Sequence, residues 1–251
     1  MTHPLILVTN DDGIASPALE ALVAALESIG EVWVFAPDRE QSAVGHGISL
    51  HRPLRVTEIR DRWFMIDGTP ADCILLARRE FLKRPPELVM SGINTGPNLG
   101  DDVTYSGTVA GAYEGMLLGF PSIAISNAGY EPSDFKTAAA VGVQLAKHVL
   151  ENGLPPDTVL NVNVPDVPYN ELAGVAITRQ GLREYQDEII HREDPRGTSY
   201  YWIGGFRPEQ IIHPGTDVEA IANQKVSVTP LHRDLTNHES LETLRTRNIQ
   251  L

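Results

Sequence analysis

The sequence holds one cysteine, Cys73, which excludes an intramolecular disulfide and any cysteine-based zinc cluster. No run approaches the roughly 18 apolar residues of a membrane-spanning helix. Met1 to Pro4 lead straight into an apolar strand pattern without the basic start of a signal peptide, so a cytoplasmic location is the default expectation. Basic residues are scarce. Lys and Arg total 20 against 33 Asp and Glu, a formal charge of -13. Such a chain lacks the cationic surface that nucleic-acid polymers and anionic membranes require. The scarcity is also uneven, for residues 1–38 and 85–135 contain no Lys or Arg. An anion bound by these stretches must be held by something other than a basic side chain. At 251 residues and 42% hydrophobic, the chain has room for one large domain, or one domain and an extension.

The apolar pattern that is present alternates strand and helix. Leu5-Ile6-Leu7-Val8 is a short continuous run that reads as a central parallel strand, ending at Thr9-Asn10-Asp11-Asp12-Gly13. Ser16-Pro17 is an N-cap candidate, followed by helical spacing of Leu19, Leu22, Val23, Leu26 and Ile29, with Gly30 as the stop. Val32 to Phe35 is a second strand, which makes the first 38 residues a βαβ unit. Leu50 to Val56 and Trp63 to Ile66 suggest a hairpin or small insertion, and residues 70–83 a helix. Glu87 to Met90 reads as a strand before a loop from Ser91 to Asp101. A helix over Ser106 to Leu118, a strand over Ser122 to Ile125, a helix over Ser133 to Glu151 and a strand over Val159 to Val164 follow. That second helix is expected to bury Phe135, Ala139, Val143, Ala146 and Leu150. The reading is a Rossmann-like, doubly wound α/β core with a mostly parallel sheet over about 1–165.

Residues 166–251 differ and read as a C-terminal extension. Residues 183–207 lack a helical period and hold Tyr185, Tyr200, Tyr201, Trp202 and Phe206, around a turn at Pro195-Arg196-Gly197. This suggests a long β-hairpin. Val226 to Pro230 is a late strand, and Leu235 to Leu251 is a candidate terminal helix.

In an open parallel sheet, ligands bind beyond the carboxyl ends of the strands. Three polar clusters fall there: Asn10 to Gly13, Pro37 to Ser42, and Ser91 to Asn98. The adjacent carboxylates of Asp11 and Asp12 suggest a divalent cation, and Asp, Asn and Ser oxygens suit Mg²⁺ or Mn²⁺. The plainer reading is that the pair only caps a turn. Tyr105-Ser106-Gly107-Thr108-Val109 looks like a helix start whose backbone N–H groups and hydroxyls form an anion site. There is no P-loop, no GxGxxG after the first strand and no GxSxG elbow. His46 reads as a loop histidine able to donate to a phosphate, and Cys73 as a small core residue.

Five segments, in order, resemble the SurE family of survival proteins, metal-dependent 5'-nucleotidases. They are Leu-Val-Thr-Asn-Asp-Asp-Gly-Ile (7–14), Ala-Pro-Asp-Arg-Glu-Gln-Ser-Ala (36–43), Gly-Thr-Pro-Ala-Asp-Cys (68–73), Ser-Gly-Ile-Asn-Thr-Gly-Pro-Asn (91–98) and Tyr-Ser-Gly-Thr-Val-Ala-Gly-Ala (105–112). The resemblance implies one divalent metal, Mg²⁺ or Mn²⁺, on Asp11, Asp12, Ser42 and Asn94. It implies substrate contacts at Asn10, Ser42, Asn94, Asn98, Ser106, Gly107 and Thr108, with Asp11, Asp12, Asn98 and Ser106 to Thr108 taking part in catalysis. It further implies hydrolysis of nucleoside 5'-monophosphates to nucleoside and phosphate. The aromatic arm and terminal helix would then serve a homodimer or homotetramer. Hydrolysis of 3'-nucleotides and short polyphosphate stays open, as does the alternative of a non-catalytic phospholigand sensor.

Overall fold

The computed structural model describes residues 3–132, 134–184, 187–205 and 209–247. Strand β1 (Leu5–Thr9) is buried along its whole length, as a continuous apolar run should be. Helix α1 (Pro17–Leu26) begins on Pro17, whose missing N–H is no loss in a first turn. Ser16 occupies the N-cap position with extended backbone, but its hydroxyl makes no capping bond. The chain returns through β2 (Glu31–Pro37), parallel to β1.

The expected strand at Leu50 to Val56 is displaced. β3 (Val56–Arg60) and β4 (Trp63–Ile66) form the antiparallel hairpin, and β4 extends the sheet parallel to β2. Pro53 explains the shift, because it lacks a donor and restricts the residue before it, and Leu50 is exposed. Helix α2 (Pro70–Leu76) opens on a capping box between Thr69 and Asp72 and continues as one wide turn over 77–81.

Strand β5 (Leu88–Thr95) runs past its expected end at Met90. Its Ser-Gly-Ile-Asn-Thr segment reads as loop by composition, yet it pairs with the neighbouring strand through Thr95. Gly92 permits this close pairing: its φ is +133°, and a Cβ there would lie 2.2 Å from the Ile125 carbonyl oxygen. Helix α3 (Gly107–Leu117), β6 (Ser122–Asn127), α4 (Lys136–Asn152) and β7 (Thr158–Val164) complete the alternating core. In α4 the buried face is centred on Ala138, Ala139, Gly142, Ala146 and Val149. Phe135, Val143 and Leu150 sit at its margin, a rotation from the expected stripe. Ser133, the expected start, lies outside the described residues.

Beyond residue 165 come β8 (Val175–Ile177), β9 (Leu182–Glu184), β10 (Asp187–Glu193), β11 (Ser199–Gly205), β12 (Glu209–Ile211), α5 (Asp217–Ala222), β13 (Val226–His232) and α6 (His238–Thr246). β10 and β11 form the antiparallel arm, with β9 and β12 paired at its base. At the arm's turn Asp194 Oδ1 accepts from the N–H groups of Arg196 and Thr198. Tyr201, Trp202 and Ile203 are exposed on it, whereas Tyr185 and Phe206 lie outside the described residues. α6 is shorter than the expected 235–251, and residues 248–251 lie outside the described residues.

The sheet order is β3-β4-β2-β1-β5-β6-β7-β13-β8. β13 is antiparallel to β7, and β8 is parallel to β13, so the sheet takes in two strands from beyond residue 165. α1 packs on α4 over one face, and α2 on α3 over the other. From β1 the chain moves one way to β2 and later returns on the other side as β5. The carboxyl ends of β1 and β5 therefore flank the topological switch point, where an open α/β sheet leaves a crevice. No helix of the described residues is long and apolar enough to cross a membrane.

Candidate active site

The loop after β1 supplies the two carboxylates. Asn10 is fully buried, and its Nδ2 donates to the Gly13 carbonyl at 2.9 Å, closing the turn. The loop after β2 is tied on by Gln41 N–H to the Asp11 carbonyl at 2.7 Å and by Ile14 N–H to the Pro37 carbonyl at 2.8 Å. Asp11 is 4% exposed, and its Oδ1 accepts from the Thr108 hydroxyl at 2.5 Å. Burial pushes the Asp11 carboxyl up to about 6; the Thr108 bond opposes this, and the neighbouring Asp12 charge adds to it. Asp12 is half-buried and also raised by burial, against weak bonds of 3.3 Å from the Thr95 N–H and hydroxyl.

The start of α3 faces this pair. Ser106 is the N-cap, its oxygen accepting from the Val109 N–H at 3.1 Å, which leaves the hydroxyl proton free to donate. Gly107 follows for a steric reason. A Cβ there would lie 2.8 Å from Asp11 Cβ and 3.1 Å from the Gln41 carbonyl oxygen. Thr108 differs from its expected role as a hydroxyl donor to an outside anion. Its hydroxyl is directed at Asp11, so this side chain seats the carboxylate against the helix. An acidic group at a helix start is favoured by the first-turn N–H groups and the helix dipole.

The loop after β5 completes the crevice. Thr95 reaches Asp12, and Asn94 Nδ2 donates to the Gly96 carbonyl at 2.8 Å, leaving Asn94 Oδ1 outside that bond. Ser42 lies exposed and donates to Glu40 Oε1 at 2.7 Å. Asn98 is buried and fixed on all sides. Its N–H donates to Asn163 Oδ1 at 2.8 Å, and its side chain donates to Ser126 at 2.8 Å. Its carbonyl accepts from Asn161 and Asn163 at 2.9 and 3.0 Å.

Four further residues, not marked by the loop motifs, build this architecture. Asn161 and Asn163 are fully buried in β7. Two asparagines at alternate positions of an apolar strand are a signal in themselves, since asparagine is disfavoured in strands without a polar partner. Asp217 is buried and accepts from Gly100 N–H at 2.9 Å and Gly181 N–H at 2.7 Å, tying the loop to the C-terminal part. Arg183 pairs with Asp102 on the same loop.

Replacing Asn163 with Asp keeps the shape and the acceptor but turns the donor facing the Asn98 carbonyl into a buried negative oxygen. The expected loss is about 3 kcal/mol, seen as a melting temperature lower by about 6–12 °C. An unchanged melting temperature would show that this network does not hold the loop.

The crevice presents oxygens, not sulfur or imidazole. Among the described residues, no group of three or more His, Cys, Asp or Glu side chains is placed to hold a metal. A cation here would rest on the two aspartates and neutral oxygens, a hard donor set. The fit is electrostatic as well. Asp11 is enclosed next to a second carboxylate, in stretches of sequence that carry no Lys or Arg.

Comparison with known proteins gives the family. The family model described as survival protein SurE matches residues 6–187. The 5'-nucleotidase SurE of Geobacter sulfurreducens is 54% identical over 241 residues, covering 96% of this chain and 92% of its own. That of Pelobacter propionicus is 52% identical over 242 residues, covering 96% and 98%. The crystal structure of the SurE protein from Aquifex aeolicus is 47% identical with a TM-score of 0.87, covering 98% of this chain and 100% of that one. With the motifs at the switch point and this match across nearly its whole length, the chain belongs to the SurE family of survival proteins.

Proposed function

We propose that this chain is a divalent-metal-dependent 5'-nucleotidase, hydrolysing nucleoside 5'-monophosphates to nucleoside and phosphate. The observation that carries the reading is the seating of buried Asp11, beside Asp12, against the start of α3. Relatives about half identical over nearly the full chain bear the name 5'-nucleotidase.

Asp11 and Asp12 would hold the cation, with Asn94 and Ser42 completing an oxygen set. The cation would offset charge on the phosphate and on the departing alkoxide. Ser106 offers its free hydroxyl proton, and Gly107 its first-turn N–H, to the remaining phosphate oxygens. Thr108 acts one step back, by fixing Asp11. Asp12 is the less enclosed carboxylate and is the better placed to orient an incoming water. Asn98 works through its held backbone, which sets the path of the loop between β5 and α3. The exposed aromatic face of the β10–β11 arm is the surface assigned to contacts between copies in a dimer or tetramer.

The test is phosphate release from AMP with Mg²⁺ or Mn²⁺, repeated in EDTA. Activity is expected to vanish with the chelator and return when the cation is restored. Undiminished hydrolysis in EDTA would remove the metal from the reading. No release from any nucleoside monophosphate, with binding retained, would favour the sensor alternative.

A further inference from the structure

The segment that joins β5 to α3 is held by residues from beyond position 165. It makes a 3₁₀ turn over Gly100–Thr104. The turn passes so close to the 180–183 segment that a Cβ on Gly100 would lie 2.8 Å from the Gly181 carbonyl oxygen. Gln180 Nε2 donates to the Gly100 carbonyl at 3.0 Å. The Asp217 carboxylate joins the two segments by accepting from the N–H groups of Gly100 and Gly181.

Arg183 adds the charged contact. Its Nη1 donates to Asp102 Oδ2 in the turn, and its Nη2 donates to the Tyr130 hydroxyl at 2.7 Å. One planar guanidinium thus spans the segment after β5 and the loop after β6, a task for which a lysine ammonium lacks the fork. Residues 85–135 carry no Lys or Arg, so the cation at this turn comes from 81 positions along the chain. Its side chain is only 2% exposed, so Arg183 is not itself a ligand for substrate.

Asp102 carries the contact on to the start of α3. Its carbonyl accepts from the N–H groups of Tyr105 and Ser106, at 3.0 and 3.1 Å. Ser106 is the N-cap of α3 and Gly107 its first residue. The Asp102 side chain is therefore gripped by Arg183 while its backbone holds Ser106. The Ser106 N–H is occupied by this bond, which leaves the Ser106 hydroxyl and the Gly107 N–H as the donors for phosphate.

We propose that Arg183 is a positioning residue for phosphate-ester hydrolysis: acting through Asp102, it fixes the Ser106 hydroxyl and the Gly107 N–H relative to Asp11 and Asp12. This rests on the phosphomonoesterase reading. Without the guanidinium the turn gains freedom, and Ser106 moves with it. A displacement near 1 Å in a positioned site lowers rate by about 10²-fold.

The test measures kcat and KM for AMP, and competitive inhibition by inorganic phosphate, with the divalent cation present and rates corrected for the folded fraction by circular dichroism. The variants are Arg183→Gln, Arg183→Lys, Asp102→Asn and the double variant Arg183→Gln with Asp102→Asn. Arg183→Gln and Asp102→Asn are each expected to lower kcat/KM by about 10²-fold and to weaken phosphate inhibition. Arg183→Lys is expected to recover part of the loss. The double variant should fall no further than either single one, because the two residues act as one linkage. If Arg183→Gln does not fold, Arg183→Lys and Asp102→Asn decide, with a loss expected in both. A lowered melting temperature with parental kcat, KM and phosphate inhibition in the folded fraction overturns the proposal, since Arg183 would then only stabilise the chain. Losses that multiply in the double variant overturn the route through Asp102. Absence of AMP hydrolysis by the parent overturns the phosphomonoesterase reading and the proposal with it.

Discussion

In Asp11→Asn, phosphate release from AMP falls by on the order of 10³-fold, while the chain examined in EDTA becomes more stable than the parent. The two outcomes have one cause. The Asp11 carboxylate is enclosed, bonded to a threonine hydroxyl, and adjacent to Asp12. Folding raises its pKa from 3.8 to about 6. The folded chain thus holds this proton more tightly than the unfolded chain. Its ionised form opposes folding fully above pH 6, progressively less between 6 and 3.8, and not at all below. The difference corresponds to on the order of 3 kcal/mol.

Asparagine keeps an acceptor for Thr108 and removes the charge. Melted in EDTA at pH 8, the variant should exceed the parent by about 6–12 °C, and the gap should narrow towards pH 4. Saturating Mg²⁺ or Mn²⁺ should reverse the order, because a ligand that binds only the folded parent stabilises it by mass action. Equal melting temperatures in EDTA at pH 8 would contradict the claim that this carboxylate is held at an energetic cost.

The parts of this arrangement that sequence reading reached are local ones. The β1-α1-β2 unit follows from a buried apolar run, a proline at a helix start and a glycine at its end, and each acts within a few residues. The three polar loops were legible because strand ends in a parallel sheet are where side chains must differ from the core. What escaped is non-local. The Ser91–Thr95 segment looks like a loop until β6 supplies its partner. Asn161 and Asn163 look like surface positions until the 98 loop lies over them. A cavity beside α3 is assembled from residue 46, from 106–113 and from 230–235, and no spacing within one segment encodes it. The Thr108 hydroxyl meets Asp11, 97 positions away, a contact that no local spacing encodes.

Gly107→Ala is the sharper probe of how the site is assembled. Alanine favours helices over glycine by up to about 1 kcal/mol, so the substitution would help α3 if nothing stood in its way. Yet the new Cβ would sit 2.8 Å from Asp11 Cβ, 3.0 Å from Asp11 Oδ2 and 3.1 Å from the Gln41 carbonyl oxygen. Either Asp11 leaves Thr108 or the start of α3 lifts from the crevice. Both shift the carboxylate relative to the amides that would hold phosphate, and a displacement near 1 Å in a positioned site lowers rate by about 10²-fold. Gly115→Ala supplies the contrast on the same face of the same helix. Its Cβ would meet Ser122 Oγ at 2.6 Å and Val89 Cβ at 2.8 Å, which are core atoms remote from the carboxylates. Overpacking there should cost about 1–3 kcal/mol of stability and leave kcat for AMP nearly unchanged in the folded fraction. Gly107→Ala should show the opposite division, with little change in melting temperature and a large loss of kcat. If both variants lost stability alone, the seating of Asp11 on α3 would not be what sets the rate.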